Sequence, residues 1–313
     1  MNKHRSKIIR RSIAEQAHHV AKEQFGREVA SGHAKAFLLG LGEILKGQEL
    51  KRFFHFWQEA RERRQLRLVM LGGAVIKTGM GPLLSACVRE GVISHVAMNG
   101  SAAIHDFELA LAGKTSENVG QGLVDGSFGM TLETGRDMNL AINAGAERGE
   151  GMGEALGRWI VEKGYAHREV SLLAACHEAD VPCTVHVALG TDIIHQHPEF
   201  DAARTGRATG EDFDRLIEVL AGMGAGACVA NLGSAVLMPE VFLKALTVAR
   251  NTTAGVEGFH TAVFDMQSQY RPLVNVVNRP REAGGGEGFY FIGHHEIMLP
   301  PLFRRAVGGW RGK

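Results

Sequence analysis

From Leu66 onward, short apolar runs alternate with amphipathic helical patterns, and no other feature constrains the fold as strongly. The runs are LRLVMLG (66–72), ISHVAMN (93–99), TVHVALG (184–190), CVANLG (228–233), HTAVFDM (260–266) and FYFIG (289–293). Most are nearly continuously apolar, as strands covered on both faces must be. Between them, Phe213, Leu216, Ile217 and Leu220 form one helical stripe, with Glu211 and Asp212 placed in a first turn where acids match the helix dipole. Phe242, Ala245, Leu246 and Ala249 form another, behind Pro239 at an early helical position. Residues 131–180 read as mostly helical and EAGGGEG (282–288) as a flexible loop. Strand, helix and strand in repetition predict an α/β fold with a doubly wound, mostly parallel, Rossmann-like sheet.

Residues 1–65 differ. Leu50, Phe53, Phe54 and Trp57 follow the i, i+3, i+4, i+7 spacing of an amphipathic helix, and nothing in the region reads as a strand. The expectation is an N-terminal helical arm over 1–65, lying on the main domain or on a neighbouring subunit. Residues 66–313 then form the Rossmann-like catalytic domain. Basic residues alternate with aromatics in the arm, but Glu59 and Glu62 dilute the charge, and 35 basic residues balance 34 acidic ones overall. That balance argues against a dedicated nucleic-acid or membrane-surface binder. Lys77, Arg89 and His105 interrupt the longest apolar stretches, so no spanning helix is expected, and MNKHRSKIIRRS leads into polar sequence unlike a signal peptide. Cys87, Cys176, Cys183 and Cys228 sit singly in apolar runs, as buried thiols in a reduced, cytoplasmic setting would.

Ligands of such sheets gather at the carboxyl ends of the strands. Those ends are where small and polar residues cluster: LGGAVIKTG (71–79), NGSAAIHD (99–106), LGTDIIHQHP (189–198), NLGSA (231–235), FDMQSQYRP (264–272) and GHHE (293–296). Glycines and serines there, such as Gly72 and Gly73, expose backbone N–H groups beside helix N-termini, which receive phosphate or carboxylate. A dinucleotide, with two phosphates and two riboses, would use several such ends at once. Thr78, His295 and Glu296 join the cofactor candidates by position. The G-x-G-x-x-G fingerprint is absent, so a dinucleotide would bind by a different pattern.

Taken in order, these junctions resemble the deoxyhypusine synthase family. LGGAVIKTG and NGSAAIHDFELAL are similar to its first two strand ends, where a small-residue turn precedes an acidic helix. ALGTD is similar to its Ala-Leu-Thr-Asp-Gly segment, and NLGSAVLMPEVFLKALTVARN to its glycine-rich turn and following helix. TAVFDMQSQYRP and GHHEIMLPPLF stand where the family has Asp-Gly-Ser with Ala-Arg-Pro, and Ala-Asp-Ala-Ser before an apolar helix. The collinear likeness spans roughly residues 66–307. It implies an NAD-binding domain in a homotetramer with sites at subunit contacts. The family oxidises spermidine with NAD and passes an aminobutyl group to a protein lysine through an enzyme-lysine imine. On that likeness Asn99, Gly100, Ser101, Thr191, Asp192, Gly233, Ser234 and Asp265 would face the cofactor or the amine. One departure matters: where the family's imine-forming lysine falls, this chain has Arg279-Pro280. Arginine stays protonated and cannot form the imine. Lys77 is the substitute, or else a cation beside a phosphate or carboxylate.

A cationic amine calls for carboxylates, and Asp106, Glu108, Asp192 and Asp265 are the candidates. His105 and Glu108, three apart on a helix, can address one ligand, or alternatively serve capping and dipole matching. His195 or His197 could be a general base or a surface-loop residue, whereas His186, inside a strand, reads as a core histidine. Arg271 would hold a carboxylate or phosphate with its planar fork, which makes an amino acid such as an ornithine relative a substrate class. The preferred expectation is an NAD-dependent transferase or oxidoreductase acting on a small amine or amino acid. It would abstract a hydride to give an imine, followed by transfer, cyclisation or hydrolysis, and not perform the true synthase reaction. Two rivals stay open. One is a metal-dependent hydrolase using His195, His197, His294 and His295; the other is a nucleotide-binding protein without catalysis.

Overall fold

The computed structural model describes residues 5–25 and 40–307. All six apolar runs form strands, and two further strands appear: β1 (His18–Ala21), β2 (Arg67–Leu71), β3 (His95–Asn99), β4 (Lys114–Glu117), β5 (Cys183–His186), β6 (Cys228–Leu232), β7 (His260–Asp265) and β8 (Gly288–Ile292). Six of these pair in parallel in the order β5-β3-β2-β6-β7-β8, while β1 and β4 make a separate antiparallel ribbon. The expected Rossmann-like sheet is therefore the one observed.

Residue parity sorts each strand between two helical layers. Val69, Leu71, Val96, Met98, Ala230 and Phe264 face one side. There they meet α1 (Leu45–Glu62), α2 (Gly73–Lys77), α3 (Gly81–Arg89), α4 (Gly100–Ala112), α6 (Leu132–Arg148), α7 (Met152–Glu162) and α8 (Leu172–Glu178), with α5 (Val119–Asp125) outside this layer. Leu68, Met70, Ala97, Val229 and Val263 face the other side, against α9 (Ala202–Ala221), α10 (Leu237–Thr252) and the helical segment 270–284. The C-terminal helix α11 (His295–Val307) returns to the first side through Leu299 and Phe303. Burial on both faces is why the runs read as continuous rather than alternating.

The amphipathic pattern at 50–57 forms α1, whose Phe53 ring lies 5.9 Å from both Phe264 and Phe289. Trp57 is buried and its indole N–H donates to the Val92 carbonyl at 3.2 Å. Three expectations need correction. Residues 1–65 do contain a strand: β1 and its partner β4 are four residues each and largely polar, HHVA against KTSE, so neither offers an apolar run to read. The helix carrying Asp212 starts at Ala202, capped by Asp201, so Glu211 and Asp212 lie mid-helix and not in a first turn. The glycine-rich stretch 282–288 is mostly ordered, with a helix reaching Gly284 and β8 beginning at Gly288. Its turn is tight: Gly286, at φ +84°, packs on the Phe259 carbonyl. All four cysteines are buried, and none forms a disulfide among the described residues. No helix among the described residues is long and apolar enough to cross a membrane.

Candidate functional site

Numbered among themselves, the six parallel strands run 3-2-1-4-5-6, and the direction of travel reverses between neighbours β2 and β6. A crevice at such a reversal, outside the carboxyl ends, is where open α/β sheets bind ligands. The glycine turns meet there. A Cβ on Gly72 would fall 2.3 Å from the Gly233 carbonyl oxygen, and one on Gly73 would fall 2.2 Å from Ser101 Oγ and 3.2 Å from His105 Cδ2. Gly233 adopts φ +57°, and a Cβ there would lie 2.8 Å from the His295 ring. Only glycine allows these approaches. Gly72, Gly73, Ser101, His105, Gly233 and His295 are thus linked by close contacts at the strand tips.

Ser101 and His105 reach these tips from one face of α4, four residues apart. Asn99 caps that helix, its side-chain oxygen accepting from Ala102 N–H at 2.9 Å. His105 Nδ1 sits 2.7 Å from Thr115 Oγ1, and Thr115 donates its hydroxyl proton to Glu108 Oε2 at 2.5 Å. Glu108 is buried, and its other oxygen accepts from Thr134 Oγ1 at 3.1 Å. His105 and Glu108 are therefore coupled through a threonine hydroxyl, with only the histidine at the crevice.

The space at Gly100 goes to a side chain of this chain: a Cβ there would fall 2.0 Å from Asp192 Oδ2. Gly100 makes room for that carboxylate at the start of α4, in place of the cofactor approach expected of it. Burial pushes Asp192 up to about 6. Thr191 is exposed and donates its hydroxyl to the Ala188 carbonyl at 2.7 Å. Asp265 ends β7 buried, Oδ1 accepting from Gln267 N–H at 3.3 Å.

Several expected site residues have other duties. Asp106 points into the interior and caps α8, accepting from Ser171 Oγ at 2.6 Å, Leu172 N–H at 2.8 Å and Leu173 N–H at 3.0 Å. It is no substrate ligand; burial raises it to about 6 against these bonds, which lower it. Thr78 donates to the Ala74 and Val75 carbonyls of its own helix, and Ser234 Oγ accepts from Met238 N–H. His195 Nδ1 accepts from Gly190 N–H at 3.0 Å and Asp192 N–H at 3.3 Å, so it braces the loop that carries Asp192 and is not a free base. Arg271 is half exposed and paired with Glu240 at 3.2 Å. Lys77 is partly buried at the end of α2, with no partner among the described residues.

The four-histidine metal reading fails on geometry. His197 donates through Nε2 to the Gly129 carbonyl at 2.8 Å and fills the hollow at Gly135, His295 donates to the Phe264 carbonyl, and His294 is exposed beside exposed Glu296. Among the described residues no three His, Cys, Asp or Glu side chains are placed to hold a metal ion. His186 is buried, its Nε2 3.0 Å from Thr184 Oγ1, and burial lowers it to about 4, as a core histidine. Thr115 and Thr134 escaped the sequence reading, and no local pattern in GKTSE or MTLET marks either.

Strand order and glycine-lined reversal define a Rossmann-like α/β fold. Comparison with solved structures is more specific. The fold is similar to that of ArgZ, an arginine dihydrolase from the cyanobacterial ornithine-ammonia cycle (TM-score 0.50, 20% identity, 84% of this chain and 33% of that chain). It is similar to AgrE in a ternary complex with ornithine and NAD+ (TM-score 0.53, 17% identity, 90% of this chain and 34% of that one). It is also similar to a putative deoxyhypusine synthase from Entamoeba histolytica (TM-score 0.52, 9% identity, 83% of this chain and 87% of that one). The chain thus has the deoxyhypusine synthase-like fold that its strand ends resemble, and it spans about a third of the ArgZ and AgrE chains. No family model and no curated protein matches the sequence.

Proposed function

We propose that this chain binds NAD in the crevice between the β2 and β6 tips and acts there on a small amine or amino acid. The observation that carries this is the close packing of Gly72, Gly73, Ser101 and Gly233 at the topological reversal, too tight to admit a Cβ on any of the three glycines, so that bare backbone lines the strand tips. The ornithine and NAD+ bound by AgrE, and the arginine chemistry of ArgZ, support the ligand classes. Gly72, Gly73, Ser101 and Gly233 would hold the cofactor, which supplies a hydride acceptor when bound. Asp192, partly buried against the start of α4 with no cation paired to it among the described residues, would draw a substrate ammonium group. Arg279 Nη1 donates to Asn275 Oδ1 at 2.7 Å, so the segment that would carry an imine-forming lysine presents no amine. Transfer through an enzyme imine is therefore set aside in favour of dehydrogenation with cyclisation, hydrolysis or transfer to a small acceptor. The same reading carries an assembly of four chains.

Calorimetric titration of the purified chain with NAD+ tests it. Saturable heat is expected, with Gly73→Ala weakening binding at least about tenfold, or 1.4 kcal/mol, while its circular dichroism stays that of the parent. No heat from the parent protein would end the proposal.

A further inference from the structure

Resting on that site, we infer that His105 presents an unprotonated Nε2 to the crevice, and that Thr115 and Glu108 are the positioning residues that hold it in this state. A threonine hydroxyl has one hydrogen, and an ionised carboxylate can only accept. At 2.5 Å from Glu108 Oε2 that hydrogen is committed to the carboxylate, so Thr115 Oγ1 faces His105 Nδ1, 2.7 Å away, with a lone pair. Nδ1 must therefore carry the ring proton, which leaves the lone pair on Nε2. Cδ2, bonded to Nε2, is the ring atom nearest a Cβ built on Gly73, which sets this edge of the imidazole against the Gly73 turn beside Ser101.

The far end is fixed as well. Glu108 is gripped by Thr115 on one oxygen and Thr134 on the other, and it lies 3.9 Å from His105 Nδ1. This is the logic by which a third group orients a catalytic base, with a hydroxyl interposed between imidazole and carboxylate. Thr115 arrives on β4, so the small β1–β4 ribbon delivers the orienting group to a helix of the main domain. The step it prepares is a proton transfer. The N–H bond of a bound ammonium group breaks and an Nε2–H bond forms. The electron pair stays on the substrate nitrogen, and the new imidazolium charge faces Glu108 across the threonine.

Long-range proton–nitrogen NMR of the ligand-free protein reads the tautomer, with His105→Gln assigning the signals. The parent should show a protonated Nδ1 and a bare Nε2. Thr115→Ser should keep that pattern, and Thr115→Val should shift His105 toward the other tautomer. A protonated Nε2 in the parent overturns the inference without any variant having to fold, and so does an unchanged tautomer in folded Thr115→Val. Acylation by diethyl pyrocarbonate, mapped by mass spectrometry, gives the second readout: His105 should react, and an unreactive His105 would overturn the exposed base. Saturating NAD+ should protect it. Reaction without protection would leave the relay standing and remove the cofactor from the crevice.

Discussion

Two glycines one strand apart show how little a residue's type says about its duty. Gly73 makes room for the Ser101 hydroxyl beside His105, and Gly100 makes room for the Asp192 carboxylate. The sequence marked both as backbone approaches to a ligand, because an absent side chain looks the same whatever occupies the space. Likewise Asp106 and His105 are adjacent in sequence but point about 100° apart around α4, so only one can face the crevice while the other caps α8. Glu108 was legible as His105's neighbour at i+3. Thr115 was not, since its role depends on a strand pairing that no apolar pattern announces. Asp192 offers a measurable consequence. Its folded value, about 6, lies above its unfolded value near 3.8, so its proton favours the folded state. That contribution is full below about pH 3.8 and is lost as pH rises through 6. Asp192→Asn should therefore melt higher than the parent at pH 7–8, by at most about 3 kcal/mol, and converge with it at pH 4. Melting temperatures across that range check it; equal curves at every pH would refute it.

At the level of elements, the edge strand β5 would offer unpaired backbone groups to any passing strand. Side chains from α9 take the missing neighbour's place. Thr209 Oγ1 donates to the Val185 carbonyl at 3.1 Å and accepts from Val187 N–H at 3.4 Å. Asp212 Oδ2 accepts from Val185 N–H at 2.8 Å and Gly153 N–H at 3.0 Å, tying the strand to the start of α7. Burial pushes Asp212 up to about 7 despite these bonds. Asp212→Ala would leave two buried donors without acceptors, at about 1–3 kcal/mol each. We expect a loss of about 2–5 kcal/mol in chemical denaturation, with faster hydrogen exchange at Val185; an unchanged midpoint would contradict this account. The sequence put Asp212 in a first turn because the stretch AARTGRATG has no apolar stripe to extend the helix backward. The six strands and the helix at 45–62 were readable because burial on a sheet face demands runs and periods. The β1–β4 ribbon was not readable, since it lies partly in solvent and demands neither.

For the molecule as a whole, the apolar runs announced a parallel sheet but not the order of its strands, which is set by contacts far apart in sequence. Order matters most here, because it places Gly72 beside Gly233, about 160 residues away, and so creates the crevice. The region before Leu66 bears on the whole molecule in another way. Phe53, Phe54 and Trp57 close a layer with Phe264, Phe289 and Phe303 that covers β7 and the edge strand β8. A polypeptide shortened to begin at Leu66 would lay that aromatic floor open to water, several hundred Å² of it by the usual area per ring. It should bind hydrophobic dyes and precipitate, whereas the same fragment supplied with a separate 40–65 peptide should regain solubility. A well-behaved, dye-silent fragment would mean that the first helix is an ornament on this sheet, and not its lid.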